Sequence, residues 1–180
     1  NRKDREMDIV LISAKDGKVI RNLTPGFDQG MGFDYIVTPG ERWVTIPWLA
    51  WAPAGDRLAY VVRKNAYKAI VIQNVLTRKV EKRIELKTVD EPESPVFSPD
   101  GRRIAFAALQ NGIGDIFSLD LESGKVDNLT KDDFADYAPA FSPDGKTVVY
   151  LARISGNEKL FKLDLATGSK TQLTFGTHDD

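Results

Sequence analysis

The 180-residue chain contains no cysteine and only one histidine, His178. Without cysteine it can form no disulfide, no thiol nucleophile and no cysteine-ligated metal site. Apolar runs long enough to span a membrane are also missing. The 25 basic and 26 acidic residues nearly cancel, which gives a net charge of −1. The sequence therefore predicts no membrane insertion and no nucleic-acid partner.

Recognisable catalytic motifs are missing as well. A Ser-His-Asp triad would have to use His178, and no Gly-x-Ser-x-Gly nucleophile motif is present. A single histidine also excludes the His-Glu-x-x-His zinc motif. The segment Gly112-Ile113-Gly114 lacks the third glycine and the following helix of a dinucleotide-binding loop, so we interpret it as a tight connection between strands. We expect no catalytic residues and no cofactor, and hence no enzymatic activity, in this chain.

An internal repeat dominates what is present. The segments Pro95–Arg102 and Pro139–Lys146 share the core Phe-Ser-Pro-Asp-Gly, and a looser copy, Trp48–Gly55, has alanine in place of the aspartate. The glycines that end the three copies are 46 and 44 residues apart, a spacing typical of propellers and solenoids. Ser-Pro-Asp-Gly predicts a tight turn with a strand on either side, since the glycine can adopt a positive φ.

Each turn is followed by strand-like segments. Residues 103–108 and 147–152 are apolar at both odd and even positions, which indicates strands covered on both faces. A second apolar segment follows in each copy. A glycine-containing turn and a short strand that ends in Leu-Thr then close the copies that end at Thr24, Thr130 and Thr174. We therefore predict an all-β fold, a β-propeller of four-stranded antiparallel blades with three complete blades plus a half blade.

The predicted boundaries follow the repeat. We expect a half blade at 1–24, a loop insertion at 25–46 and three blades at 47–90, 91–134 and 135–180. An arc of this kind leaves open sheet edges, so we expect further blades or self-association to close it. Trp48 and Trp51 fall on a predicted innermost strand and are expected to belong to the core.

The Ser-Pro-Asp-Gly turn, the strand Asp-Ile-Phe-x-Leu-Asp-Leu and the closing Leu-Thr, in this order, resemble the repeats of the TolB-like propeller family. The resemblance extends through nearly the whole chain. It implies a six-bladed ring of about 264 residues at this period. It also implies a bacterial protein of the periplasm or one that is secreted, but it assigns no binding residue.

The insertion between the first two repeats is rich in glycine and aromatic residues. We expect it to lie on the same propeller face as the loops between second and third strands, because strands alternate in direction. Aromatic and arginine side chains on such loops favour binding of a protein or peptide partner. A hairpin that covers a blade is the alternative. The candidate binding residues are Phe33, Tyr35, Trp43, Arg63, Tyr67 and Arg153.

Aspartates cluster near two repeat ends, at Asp132, Asp133 and Asp136 and at Asp179 and Asp180. Carboxylates are ligands for calcium, but the spacing does not match a twelve-residue calcium loop. We favour solvated or turn-capping roles for these aspartates and predict no metal site.

The favoured function is a non-catalytic scaffold that binds protein or peptide. The alternative is the propeller of a larger peptidase or hydrolase with its catalytic residues outside this chain.

Overall fold

The computed structural model describes residues 8–25, 33–38, 42–64 and 67–180, which form strands and connecting turns. Three four-stranded antiparallel sheets follow one another along the chain. The first blade consists of β5 (Leu49–Trp51), β6 (Arg57–Lys64), β7 (Tyr67–Asn74) and β8 (Val80–Glu85). The second consists of β9 (Asp90–Phe97), β10 (Arg103–Gln110), β11 (Ile113–Asp120) and β12 (Val126–Asn128). The third consists of β13 (Ala135–Phe141), β14 (Thr147–Ile154), β15 (Asn157–Asp164) and β16 (Lys170–Gln172).

Two smaller sheets precede these blades. The half blade pairs β1 (Val10–Ile12) with β2 (Val19–Asn22), and a separate hairpin pairs β3 (Phe33–Thr38) with β4 (Arg42–Pro47). The predicted fold class is confirmed: the protein is an all-β, partial and unclosed propeller with three blades and a half blade. The hairpin lies in the segment predicted as an insertion, for which the sequence allows either a loop or a hairpin.

The turns inside the blades have the local chemistry that the repeat predicts. In the second blade the Asp100 carboxylate accepts hydrogen bonds from Ser98 Oγ at 2.6 Å and from the Arg102 N–H at 3.0 Å. Gly101 has a φ of +68°, a conformation that a Cβ would disfavour. Between the second and third strands, Asn111 and Gly112 both have positive φ, as a two-residue hairpin turn of type I′ requires. These turns set the strand register.

The core lies between successive sheets, in three layers. One layer, which includes Ile9, Leu23 and Tyr60, joins the half blade to the first blade. The next joins the first and second blades and contains Phe106 and Phe117, whose ring centroids are 5.7 Å apart. The last joins the second and third blades around Ile116, Val148 and Tyr150. Each blade is therefore stabilised by its neighbours, and burial of each large side chain contributes about 1.5–3 kcal/mol.

The expectation that Trp51 belongs to the core is wrong, because its side chain is 49% exposed. Trp48 is half-buried and packs against the layer between the first two blades. Trp51 pairs with Leu58, whose side chain packs toward the half blade. The half blade lies over the outer strands of the first blade, where Gln73 Nε2 donates to the Leu23 carbonyl at 2.8 Å. Since β1 and β2 match the third and fourth strands of a blade, they leave the innermost strand uncovered at Trp51.

Candidate functional site

The connections at one end of the strands lie on the same side of the blades, and we call them the loop face. It comprises the hairpin ends between second and third strands, at Lys64 and Tyr67 and near residues 110–113 and 154–157, and the connections that enter the first strands, near 86–90 and 129–135. Pairing of Ala135 with Arg153 brings the two kinds of connection together in the third blade. The loop face is thus assembled from segments that are far apart in the sequence.

The structure distributes the six candidate binding residues over three places. Phe33 and Tyr35 lie on β3 and Trp43 lies on β4, where the register pairs Tyr35 with Thr45 and Val37 with Trp43. Because alternate positions of a strand share a face, the three aromatic positions lie on one face of the hairpin. Arg63 and Tyr67 lie at the β6–β7 hairpin end, and Arg153 lies at the β14–β15 end. In the described part of the chain, β3 and β4 pair only with each other.

Both candidate arginines are already paired with carboxylates. Arg63 forms an ion pair with Glu91 on β9, the first strand of the second blade, and Lys68 beside Arg63 pairs with Asp90. Arg153 Nη2 lies 2.8 Å from Glu158 Oε1 across the hairpin. The Tyr137 hydroxyl and Arg153 hold the pKa of Glu158 below its usual value. Burial and the neighbouring Glu158 raise the pKa of Tyr137 to about 12, so its phenol stays protonated.

Two exposed apolar side chains near the junction of the second and third blades were missed as binding candidates. Phe134 immediately precedes Ala135, which pairs with Arg153, and Ile113 begins β11. Ile113 is 38% exposed and Phe134 is 41% exposed. A Cβ built on Gly114 would lie 3.6 Å from the Asp136 carbonyl oxygen, which shows how closely the Ile113 strand approaches the segment after Phe134. We call Ile113, Phe134 and Arg153 the junction patch. The sequence signal is an apolar residue, Phe134, directly after the polar segment Lys131–Asp133, but the proximity of Phe134 to Ile113 depends on the packing of two blades.

Under the junction patch, Asp115, Asp132 and Asp136 form an acidic cluster in which one carboxylate oxygen from each lies within 4.8 Å of the others. Asp133, the other aspartate of this segment, is exposed and is not a member. Asp115 is buried at the start of β11 and accepts hydrogen bonds from Asn128 Nδ2 at 2.8 Å and from Thr130 Oγ1 at 3.1 Å. Lys170 donates to Asp132 Oδ2 at 2.6 Å and to the Thr130 carbonyl.

Asp136 is the carboxyl of the cluster whose pKa is strongly raised. Its side chain lies at the start of β13, it is only 2% exposed, and neither carboxylate oxygen has a hydrogen-bond partner among the described residues. Burial, together with the charges of Asp132 and Asp115, raises the pKa of Asp136 to about 7, against the opposing effects of Thr130 and Lys170. Burial and the charges of Asp136 and Asp132 also raise the pKa of Tyr150, whose phenol lies nearby.

Comparison with known proteins identifies the repeat. Residues 32–180 match the family model described as PD40, the TolB beta propeller domain. The chain is 35% identical over 83 residues to the Tol-Pal system protein TolB of Ruthia magnifica, a match that covers 46% of this chain and 19% of the relative. Among solved structures, TolB from Acinetobacter baumannii superimposes with a TM-score of 0.64 and 29% identity, over 82% of this chain and 38% of that one.

The chain thus spans only part of these relatives, about a fifth of the curated one. The tricorn protease has a TM-score of 0.51 and 20% identity, over 72% of this chain and 15% of that one, and this likeness shows a shared fold alone. In the portions of the chain that the structure describes, we find no helix with the length and apolarity needed to cross a membrane.

Proposed function

Because this chain belongs to the TolB β-propeller domain family, we propose that it is a non-catalytic scaffold of the bacterial periplasm or cell exterior that binds a protein or peptide through its loop face. The observation on which the proposal depends is the junction patch, which presents two exposed apolar side chains and an arginine at the meeting of two blades. Apolar, aromatic and arginine side chains on a rigid support are typical of the centre of a protein interface.

Three further features support this assignment. The blades beneath the patch are filled by buried apolar layers, so the loops are held on a rigid scaffold. The family match extends over 32–180, which includes the whole junction patch. The curated relative is named as a Tol-Pal system protein, and membership of a multi-protein system favours a protein partner for the propeller.

The aromatic positions of the β3–β4 hairpin, Phe33, Tyr35 and Trp43, and the β6–β7 residues Arg63 and Tyr67 form the outer part of the proposed binding surface. Arg153 belongs to its centre, because it pairs with Ala135 directly after Phe134. Since Arg63 and Arg153 are already paired with Glu91 and Glu158, an incoming carboxylate must compete with these pairs. We therefore expect apolar contact to contribute more affinity than charge at the centre of the surface.

Site-specific photocrosslinking in living cells tests the proposal. A benzoylphenylalanine is placed at Phe134 and, as a matched control, at Leu76, an exposed apolar residue in the turn between β7 and β8 at the opposite end of the strands. We expect covalent adducts with a discrete protein from position 134 and none from position 76, with a lower adduct yield when Arg153→Glu is added. Equal adduct formation at both positions, or none at 134, would contradict the proposal.

The alternative function, the propeller of a larger peptidase or hydrolase, predicts a different result. In that case the full-length protein hydrolyses peptide substrates. Substitution of a nucleophile or metal ligand outside these 180 residues abolishes this activity, whereas substitutions in the loop face change only the KM for the peptide. A full-length reading frame with no Gly-x-Ser-x-Gly or His-Glu-x-x-His motif would favour the scaffold.

A further inference from the structure

The acidic cluster at the junction of the second and third blades has an unpartnered buried carboxylate. Asp136 is 2% exposed, and neither of its oxygens receives a hydrogen bond from the residues that the structure describes. The nearby Thr130 hydroxyl has a single proton, which it donates to Asp115 at 3.1 Å. Buried carboxylates are normally hydrogen-bonded, paired with a cation or bound to a metal, because an isolated buried charge is costly. Within the described part of the chain Asp136 forms no ion pair of its own, because the nearby Lys170 is paired with Asp132.

The next repeat shows what a positive partner would be. The positions of Asp115 and Asp136 correspond, 44 residues later, to Lys159 and Asp180. Lys159 is 3% exposed, and its Nζ lies 3.4 Å from Asp180 Oδ1 and also donates to the carbonyl of His178. The third blade thus has the buried Lys159 ammonium at the position where the second blade has the Asp115 carboxylate.

The charges around the cluster indicate a divalent cation. Three carboxylates contribute a charge of −3 when ionised, and Lys170, which donates to Asp132 Oδ2, contributes +1. A cation of charge +2 would bring this site to neutrality. The available ligand atoms are all oxygens, which calcium and magnesium prefer.

Calcium fits this site better than magnesium. Magnesium requires near-ideal octahedral geometry and usually retains several waters, whereas calcium accepts irregular sets of protein oxygens. The Asp136 carboxylate is almost completely excluded from solvent, and Asp132 is held by Lys170. A preformed, poorly hydrated set of oxygens of this kind favours the ion that loses water more readily.

We propose that the junction between the second and third blades binds one Ca²⁺ ion through the carboxylates of Asp115, Asp132 and Asp136. The ion takes the place that the Lys159 ammonium occupies in the next repeat. It joins β11 of the second blade to β13 of the third, so its binding stabilises the two blades against each other. The site lies beneath Phe134, but the proposal does not depend on the function of the junction patch.

The test is calcium titration of the purified protein after removal of metals with EDTA, followed by calorimetry and by thermal unfolding. We expect one Ca²⁺ per chain, and a Tm that rises by roughly 5–10 °C when free calcium is about 100 times the Kd. Magnesium should bind at least about tenfold more weakly. Absence of calcium binding to the unsubstituted protein would overturn the proposal, as would tighter binding of magnesium than of calcium.

Three variants locate the ion. Asp136→Asn removes one ligand charge with little change of shape, and we expect it to lower the calcium affinity at least about tenfold. Asp115→Lys reproduces the Lys159–Asp180 arrangement, and we expect it to abolish the calcium-dependent Tm shift while it unfolds in EDTA at or above the temperature of the unsubstituted protein. Asp133→Asn changes an exposed neighbour outside the cluster and should bind calcium normally. Unchanged calcium binding in folded Asp136→Asn would show that the ion lies elsewhere and would refute the assignment.

Discussion

Gly145 packs against Pro99 of the preceding blade: a Cβ built on Gly145 would lie 3.4 Å from Pro99 Cδ. Gly101 has the same relationship with Pro53, one blade earlier: a Cβ built on Gly101 would lie 3.8 Å from Pro53 Cδ. Successive copies of the repeated turn therefore contact one another, proline against glycine. The repeat thus forms each hairpin and also brings neighbouring hairpins together.

The first prediction concerns the conformation of these glycines. We expect Gly145→Ala to lower the free energy of unfolding by about 1–2 kcal/mol, because Gly145 has a φ of +69° that disfavours a Cβ. Gly55→Ala is the matched control, since Gly55 has a φ of +71° but no atom of the described residues within 4 Å of a built Cβ. Urea unfolding should give similar losses for both, because 3.4 Å is an ordinary van der Waals distance. A loss confined to Gly145→Ala would mean that contact with Pro99 decides the effect.

The second prediction follows from the exposure of Trp51. Because half of its side chain is already exposed to solvent, we expect Trp51→Ala to cost about 1–2 kcal/mol of unfolding free energy. Phe106→Ala is the control for a fully buried aromatic residue and should cost about 3–5 kcal/mol. Chemical denaturation followed by circular dichroism measures both. An equal loss in the two variants would show that Trp51 is buried in solution.

The third prediction concerns the threonine that ends each repeat. The hydroxyls of Thr24 and Thr174 accept hydrogen bonds from the Ile9 and Leu160 N–H groups, at 2.7 Å and 2.9 Å. Thr24→Val should cost about 1–3 kcal/mol, because it leaves the buried Ile9 N–H without an acceptor. At the half-buried Thr174, water can replace the hydroxyl, so Thr174→Val should cost less than about 1 kcal/mol. Hydrogen exchange at the Ile9 amide provides the local measurement, and unchanged protection there would argue against this role.

The fourth prediction is a pH dependence. The Ser142 hydroxyl and the Lys146 N–H hold the pKa of Asp144 below its ordinary value of 3.8. A lowered pKa stabilises the folded state above the ordinary value, and this stabilisation disappears as the pH falls through the folded pKa. We therefore expect Asp144→Asn to be less stable than the unsubstituted protein near neutral pH and to lose less stability on acidification below about pH 4. Unfolding in urea across this range measures the difference, with Asp133→Asn as the exposed control. Parallel curves for the two proteins would contradict the assignment.

Much of the architecture could be predicted from local sequence. A turn is specified by the conformational preferences of Pro99, Asp100 and Gly101. Strand β10 has apolar residues at both odd and even positions, so each face of the strand requires a neighbouring sheet. Both signals recur at a constant period, so the number and order of blades follow. Trp51 was misplaced because its strand position is clear from the repeat, whereas its burial depends on whether another sheet covers that strand.

The candidate site was predictable only in part. Arg63, Tyr67 and Arg153 could be assigned to hairpin ends from strand order alone, but their pairing with carboxylates depends on how neighbouring segments meet. The junction patch and the acidic cluster each combine residues from two blades, and the sequence separates Asp115 from Asp136 by a complete turn and strand. The repeat brings the equivalent positions together at the next junction as well, at Lys159 and Asp180, but which positions meet becomes visible only when the blades are packed.

The sequence by itself determined the repeating unit, the turn chemistry, the strands and the membership of a propeller family, because each depends on residues that are neighbours along the chain. Tertiary structure alone decided the exposure of Trp51 and Phe134, the internal pairing of the arginines and the burial of Asp136 among carboxylates. The physical reason is that burial and electrostatic environment are properties of packed surfaces, and those surfaces form only when one blade is laid against the next.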